Sequence, residues 1–429
     1  MRLLTLTCSL VAAFAVASEP DGGASARQLF HAARAVAPES GQVTSPAWLL
    51  VEGGKIVSLG TTRPTGDVQL VELGDVTLLP GFIDAHAHLL HVEQPNEDSI
   101  VNEAISLSES DRALRGAWLA GQVFRAGFTT VRDLGNSGRG GDVSLRQAIS
   151  AGWVSGPTVI ASTRALAPPL GQFGRLAPAH HSLAAQEYAI VRTPEEATAA
   201  VADALAEGAE CIKVIVDSGR GRDLDQPTLE AIVARAHRAK VKVAAHCVQA
   251  EAAERAVAAG VDSIEHGYEL SDATLAAMAK RGIALVPTDY PASFYELFAP
   301  QKPPEARAKV IASFAEFRQR SKSRLKRAFE KKVPIVYGSD TYVETPLGDR
   351  GREMALVFEA YAESGLSPLE VLRSATSTAA KHLGLPGGTL QAGAPADLVA
   401  VEGNPLEDVK ALGRARFVVK QGTLQRSGH

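Results

Sequence analysis

Pro80-Gly81-Phe82-Ile83-Asp84-Ala85-His86-Ala87-His88 decides how this chain is read. A Pro-Gly turn opens a short apolar run, and the run ends in two histidines spaced i, i+2. Successive residues of a strand face opposite sides, so i and i+2 share a face. The spacing places both imidazoles together at a strand's end, where they suit a borderline-soft metal ion. A strand-capping histidine beside a satisfied core histidine would give the same letters. The rest of the chain decides between the two.

Working outward, short apolar runs at 82–86, 129–132, 158–162, 211–216, 241–246, 263–265, 284–287 and 335–338 read as strands. Helical stretches such as 194–207, 227–239 and 251–259 separate them. Eight strand–helix alternations predict an α/β fold, a (β/α)8 TIM barrel over 81–387. The charged stretch 304–332 reads as one or two solvent-facing helices before the last strand. Alternating runs with Gly turns lie outside the barrel at 48–51, 56–59 and 76–79, and again at 397–401 and 417–419. They predict a small β-sandwich built from both chain ends, over 25–80 and 388–425.

At 429 residues and 45% hydrophobic content the chain has ample material for one large core. Charge is nearly balanced, 44 Lys+Arg against 48 Asp+Glu, and no basic stripe argues for nucleic acid. Arg2, the apolar stretch 3–16 and the small-residue site Ala15-Val16-Ala17 read as a signal peptide over 1–17, so a secreted or periplasmic protein is expected. The apolar stretch is too short to span a membrane. Cys8 follows Thr7 rather than a small residue, which disfavours a lipid anchor. After cleavage only Cys211 and Cys247 remain, and both read as small core residues rather than a disulfide.

Active sites of such barrels lie at the C-terminal ends of the strands. The first strand ends in His86 and His88. The run Cys211-Ile212-Lys213-Val214-Ile215-Val216 carries a lysine among apolar residues, where an ammonium is costly unless paired or neutralised. Val243-Ala244-Ala245-His246 and Ser263-Ile264-Glu265-His266-Gly267 end in further histidines, and Tyr337-Gly338-Ser339-Asp340-Thr341 ends in an aspartate. Each has an ordinary structural explanation alone. Together, five strands deliver a ligand or acid–base group to one mouth.

With these residues the chain resembles the metal-dependent hydrolases of the amidohydrolase superfamily. Within it, the chain is most similar to the imidazolonepropionase-related branch, which holds Xaa-Pro dipeptidases and amidases that cleave ochratoxin A. Thr130-Val131-Arg132-Asp133-Leu134-Gly135, the 260–267 stretch and Gly393-Ala394-Pro395-Ala396-Asp397-Leu398-Val399 support the branch. The resemblance implies a carbamate on Lys213, formed with CO2 and bridging two divalent metal ions, with zinc the default for such N/O ligands. His86, His88 and Asp340 would hold the more buried ion, and His246 and His266 the more exposed one. The ions would activate a bridging water for attack on an amide, with Asp340 moving its proton to the leaving amine. Small amides or dipeptides are the expected substrates, and a homo-oligomer the expected assembly.

Two features depart from the branch. Val248 stands two residues after His246, where relatives that cleave dipeptides carry His or Tyr, which suggests a more apolar pocket. The 168–175 loop lacks an expected Gly-His pair. His181, Arg220, Tyr290 and Tyr342 are further candidates for substrate contact. The alternatives are a mononuclear deaminase or cyclic-amide hydrolase on the same barrel, and a non-catalytic barrel. Lys213 argues against the mononuclear type, and the filled ligand positions argue against loss of catalysis.

Overall fold

Parallel strands covered by helices are buried on both faces and read as continuous apolar runs. Every residue of Phe82–Ala87, Phe128–Asp133, Cys211–Ile215, Ser263–His266 and Ala284–Val286 is buried in this way. The computed structural model of the chain describes residues 27–93, 99–219 and 221–426. The expected signal peptide and Arg220 lie outside the described residues.

The central strands form two parallel sheets. One runs Phe82–Ala87, Phe128–Asp133, Thr158–Ala161. The other runs Tyr188–Ile190, Ala165–Ala167, Cys211–Ile215, Lys242–Cys247, Ser263–His266, Ala284–Val286. Two short strands, Ala165–Ala167 and Tyr188–Ile190, are additions to the expected set. The helices between follow their punctuation. Thr193 caps Pro194–Glu207 through the Glu196 N–H, Pro194 opens the helix, and Gly208 in left-handed backbone ends it. The charged stretch is one helix, Pro304–Glu330.

The expected eighth strand at 335–338 is corrected. Only Ile335 makes a ladder bridge, to Leu285. Beyond it the N–H groups turn away from a ladder, Tyr337 N–H to Ser374 O and Gly338 N–H to Tyr361 Oη, and the segment is placed by single bonds instead. Leu285 N–H donates to Pro334 O, Val336 N–H to Leu285 O, Ala85 N–H to Tyr337 O and Asp340 N–H to His86 O. The segment thus sits between the two sheets and touches both. On their other side the sheets meet where Glu210 N–H donates to Ala161 O.

The expected small β-unit built from both chain ends takes the form of one sheet. Both chain ends contribute to one eight-stranded sheet. Its long strand Gln69–Pro80 pairs parallel with Gln28–Ala37 and antiparallel with Leu398–Glu402. The sheet curls around its own core, which includes Phe30, Leu49, Ile56, Leu78 and Val419. Residues 393–396 bond back to Ile56 and Gly54 and so join the two chain ends a second time. The long strand runs through Gly81 into Phe82–Ala87, which delivers the histidines.

Gly338 shows how tightly the seam is packed. A Cβ there would lie 2.2 Å from Val286 Cγ1 and 2.8 Å from His86 Cβ. Gly338→Ala is therefore expected to cost about 1–3 kcal/mol, the usual range for overpacking. Urea unfolding measures it; a wild-type midpoint would show that the segment slides freely.

Candidate metal centre

His86 and His88 are each held by one ring nitrogen. His86 Nδ1 lies 2.8 Å from Glu265 Oε2, and His88 Nδ1 lies 2.8 Å from the Gly135 carbonyl. A carboxylate and a carbonyl only accept, so both Nδ1 atoms carry a proton and Nε2 is the ring nitrogen left to face the site. The two Nε2 atoms converge on Asp340, whose Oδ1 is 3.4 Å from His86 Nε2 and 3.1 Å from His88 Nε2. Ligand atoms of His86, His88 and Asp340 all lie within 4.8 Å of one another.

Lys213 joins them from the middle of its apolar strand, its Nζ 3.3 Å from His86 Nε2. His266 Nδ1 pairs with Thr288 Oγ1 at 2.8 Å, and the half-buried His246 packs edge-to-face on His266 with ring centroids 4.5 Å apart. His266 and Asp340 both have left-handed backbone, φ 65° and 51°. Such conformations in residues other than glycine cost about 1–3 kcal/mol and persist where surroundings enforce them.

Burial sets the protonation states. It drives His86 and His266 well below the usual imidazole range and His246 down to about 3, so all three offer lone pairs at neutral pH. Burial lowers the Lys213 amine to about 8, against a smaller opposing pull from Glu265 and Asp340. Burial pushes the Asp340 carboxyl up, but His86, His88 and Lys213 together outweigh it and keep it below its ordinary value.

The cluster opens into a cavity of about 200 Å³. Lys213, His246, His266, Asp340 and the two first-strand histidines all line it, as does Tyr342, whose ring packs 5.7 Å from that of His88. Three other candidates do not. Val248 N–H donates to Asp217 Oδ2 at 2.8 Å. His181 is exposed on the turn Pro178–Leu183, its Nε2 3.3 Å from Leu176 O. Tyr290 stands behind the cavity and donates to Thr341 Oγ1 at 2.9 Å. Apolar surface comes instead from Ile100, Leu134, Ala165 and Ile215, and polar surface from Asn136, Gln172 and Tyr188.

Residues that orient the ligands escaped the sequence reading although they sit in the stretches it singled out. Glu265 precedes His266. It accepts from Arg132 Nη2 at 3.0 Å and Ser263 Oγ at 2.5 Å, and both Glu265 and Arg132 are fully buried. Asp84, inside the opening stretch, accepts from the N–H groups of His86 and Ser339, and burial raises its carboxyl to about 7. His91, three residues after His88, lines the cavity and pairs through Nδ1 with Glu103 Oε2 at 2.6 Å.

Residues 77–424 match the amidohydrolase family. Ochratoxinase of Aspergillus niger is 29% identical over 375 residues, covering 80% of this chain and 73% of that protein. A solved Xaa-Pro dipeptidase with methionine bound in its active site is 29% identical, with TM-score 0.79 over 94% of this chain and 100% of that one. A solved prolidase complexed with N-methylphosphonate-L-proline is 28% identical, with TM-score 0.80 over 93% and 99%. These neighbours imply a TIM-barrel fold with α/β content, here with a sheet interrupted at two places.

Glu265→Gln keeps the shape of the side chain but removes the charge between His86 and Arg132. Changing a residue that orients a metal ligand typically costs about 10–100-fold in metal affinity, and that loss is expected here. Competition with a coloured chelator measures it; unchanged affinity would free His86 from dependence on Glu265.

Proposed function

The chain belongs to the amidohydrolase family and is a hydrolase acting on amide bonds; from that premise we propose a binuclear, metal-dependent amidase with small substrates. N-acyl amino acids, dipeptides and amide-linked toxins such as ochratoxin A are the substrate classes. The observation that carries this reading is the convergence of His86, His88 and Asp340 with Lys213 at one cavity.

The donor set fits divalent cations. Two imidazole nitrogens and a carboxylate oxygen, buried with their ligand atoms within 4.8 Å of one another, match the N/O donors that divalent cations take. His86, His88 and Asp340 would hold one ion, and His246 and His266 the other. Lys213 would contribute to both as a carbamate. Its neutral amine attacks CO2, an N–C bond forms and one proton leaves. An amine lowered to about 8 is neutral often enough near pH 7 for this reaction. When bound, the ions supply Lewis acidity toward the amide carbonyl and toward water.

The chain's own groups do the rest. Asp340, held ionised, accepts the proton of the attacking water and returns it to the amine nitrogen as the C–N bond breaks. Tyr268, Tyr342 and Tyr188 give aromatic surface beside Ile100, Leu134 and Ile215, and these grip an apolar side chain. Export is part of the proposal and rests on the 1–17 sequence alone; assembly as a homo-oligomer rests on the family resemblance.

Purified protein supplied with zinc and bicarbonate is expected to release amine from N-acyl amino acids, Xaa-Pro dipeptides or ochratoxin A, and to lose this activity on chelation. No release from any of the three would overturn the reading. Asp340→Asn is expected to fold and to lose about 10²–10⁴-fold in kcat; turnover within tenfold of wild type would remove its proton-transfer role. Each buried CH₂ contributes about 0.8 kcal/mol, so kcat/KM for phenylalanine or leucine derivatives should exceed that for glycine by about tenfold or more. A flat series across side chains would contradict the apolar grip.

A further inference from the structure

The segment carrying Asp340 joins no continuous ladder; the isolated bridges Ile335–Leu285 and Val343–Glu93 and a few single bonds hold it, so its position relative to His88 depends on discrete contacts. One side chain reaches across this seam from outside the cavity. Arg350, at the start of the helix Arg350–Ala355, is 4% exposed, and its Nη1 donates to both His88 O at 3.0 Å and Thr341 O at 2.6 Å. Its Nη2 lies 3.4 Å from His91 O and 3.5 Å from Tyr342 O. One planar guanidinium thus faces carbonyls from both ligand-bearing segments, the residue after Asp340 among them.

The guanidinium is itself fixed. Arg350 N–H donates to Gln122 Oε1 at 2.8 Å. Gly351 lets its helix press on the helix Glu109–Arg125, where a Cβ would lie 2.5 Å from Gln122 O. Glu353, also buried, places Oε2 3.7 Å from Arg350 Nε as counterion, and its Oε1 accepts from the Thr345 N–H at 3.2 Å. A charge this deeply buried is costly to keep, and its donors are directed at main-chain carbonyls of the site.

We propose that Arg350 is a positioning residue that sets the His88–Asp340 separation and thereby the affinity of the His86/His88/Asp340 position for its metal ion. The inference rests on the metal-dependent reading above. A lysine in its place brings charge but no planar fork, so it restores only part of the arrangement.

The test compares wild type with Arg350→Lys and with the double variant Arg350→Met/Glu353→Gln, which removes the charge pair together. Ile56→Val, in the core of the outer sheet, is the control for mild destabilisation away from the site. Circular dichroism establishes folding. Chelator competition gives the metal dissociation constant, the visible spectrum of the cobalt(II)-loaded protein reports ligand geometry, and steady-state kinetics separates kcat from KM. The double variant is expected to hold metal about tenfold or more weakly, with a changed cobalt spectrum, a matching fall in kcat and little change in KM. Arg350→Lys should fall between it and wild type, and Ile56→Val should match wild type. Folded Arg350 variants with wild-type metal affinity and cobalt spectrum would overturn the positioning role alone. An equal loss in Ile56→Val would overturn it as well. Wild-type protein that takes up no metal would overturn the underlying metal reading, and the positioning role with it.

Discussion

A single buried carboxylate orders the mouth of the barrel. Glu265 accepts from Arg132 on one side and from His86 on the other, with no exposure to water at either fully buried partner, Glu265 or Arg132. Burying a guanidinium alone is prohibitive, so Arg132 and Glu265 must pair, and the pair ties Phe128–Asp133 to Ser263–His266. Arg132 Nε also donates to Ala85 O, beside His86, which brings in the first strand. Once His86 Nδ1 is engaged, only Nε2 remains to face the cavity. The same logic, with a carbonyl in place of the carboxylate, turns His88 outward.

Burial then works in opposite directions on the two kinds of group. It leaves the His86, His246 and His266 imidazoles neutral and lowers Lys213 to about 8, so that a fraction of its amine is neutral near pH 7. Asp340 escapes the upward push of burial through the groups facing it. The result is a cluster rich in lone pairs. The left-handed backbone of His266 and Asp340 adds local strain that surrounding bonds must offset. Arg324, buried, helps do so by donating to His266 O while pairing with Asp289.

Much of this was legible in the letters. The helix at 194–207 was read with the bounds it has, and Thr193, Pro194 and Gly208 punctuate it. The six residues at the strand ends were picked out because lysine and histidine are conspicuous in apolar runs, and they do meet at one cavity. The eighth segment was misread as a strand because apolar content does not reveal that Tyr337 and Gly338 give their N–H groups to Ser374 O and Tyr361 Oη. Glu265, Arg132 and Asp84 lay in full view, but an acid beside a histidine is common, and only the fold shows which acids face which rings.

The central claim is that this constellation holds two metal ions linked through Lys213. The most direct test is anomalous diffraction at the zinc edge from crystals of protein prepared with zinc and bicarbonate. The account predicts two peaks, one bounded by His86, His88 and Asp340 and one by His246 and His266, with density extending from Lys213 Nζ to both. Empty positions, or a single peak beside an unmodified Lys213 amine, would contradict it.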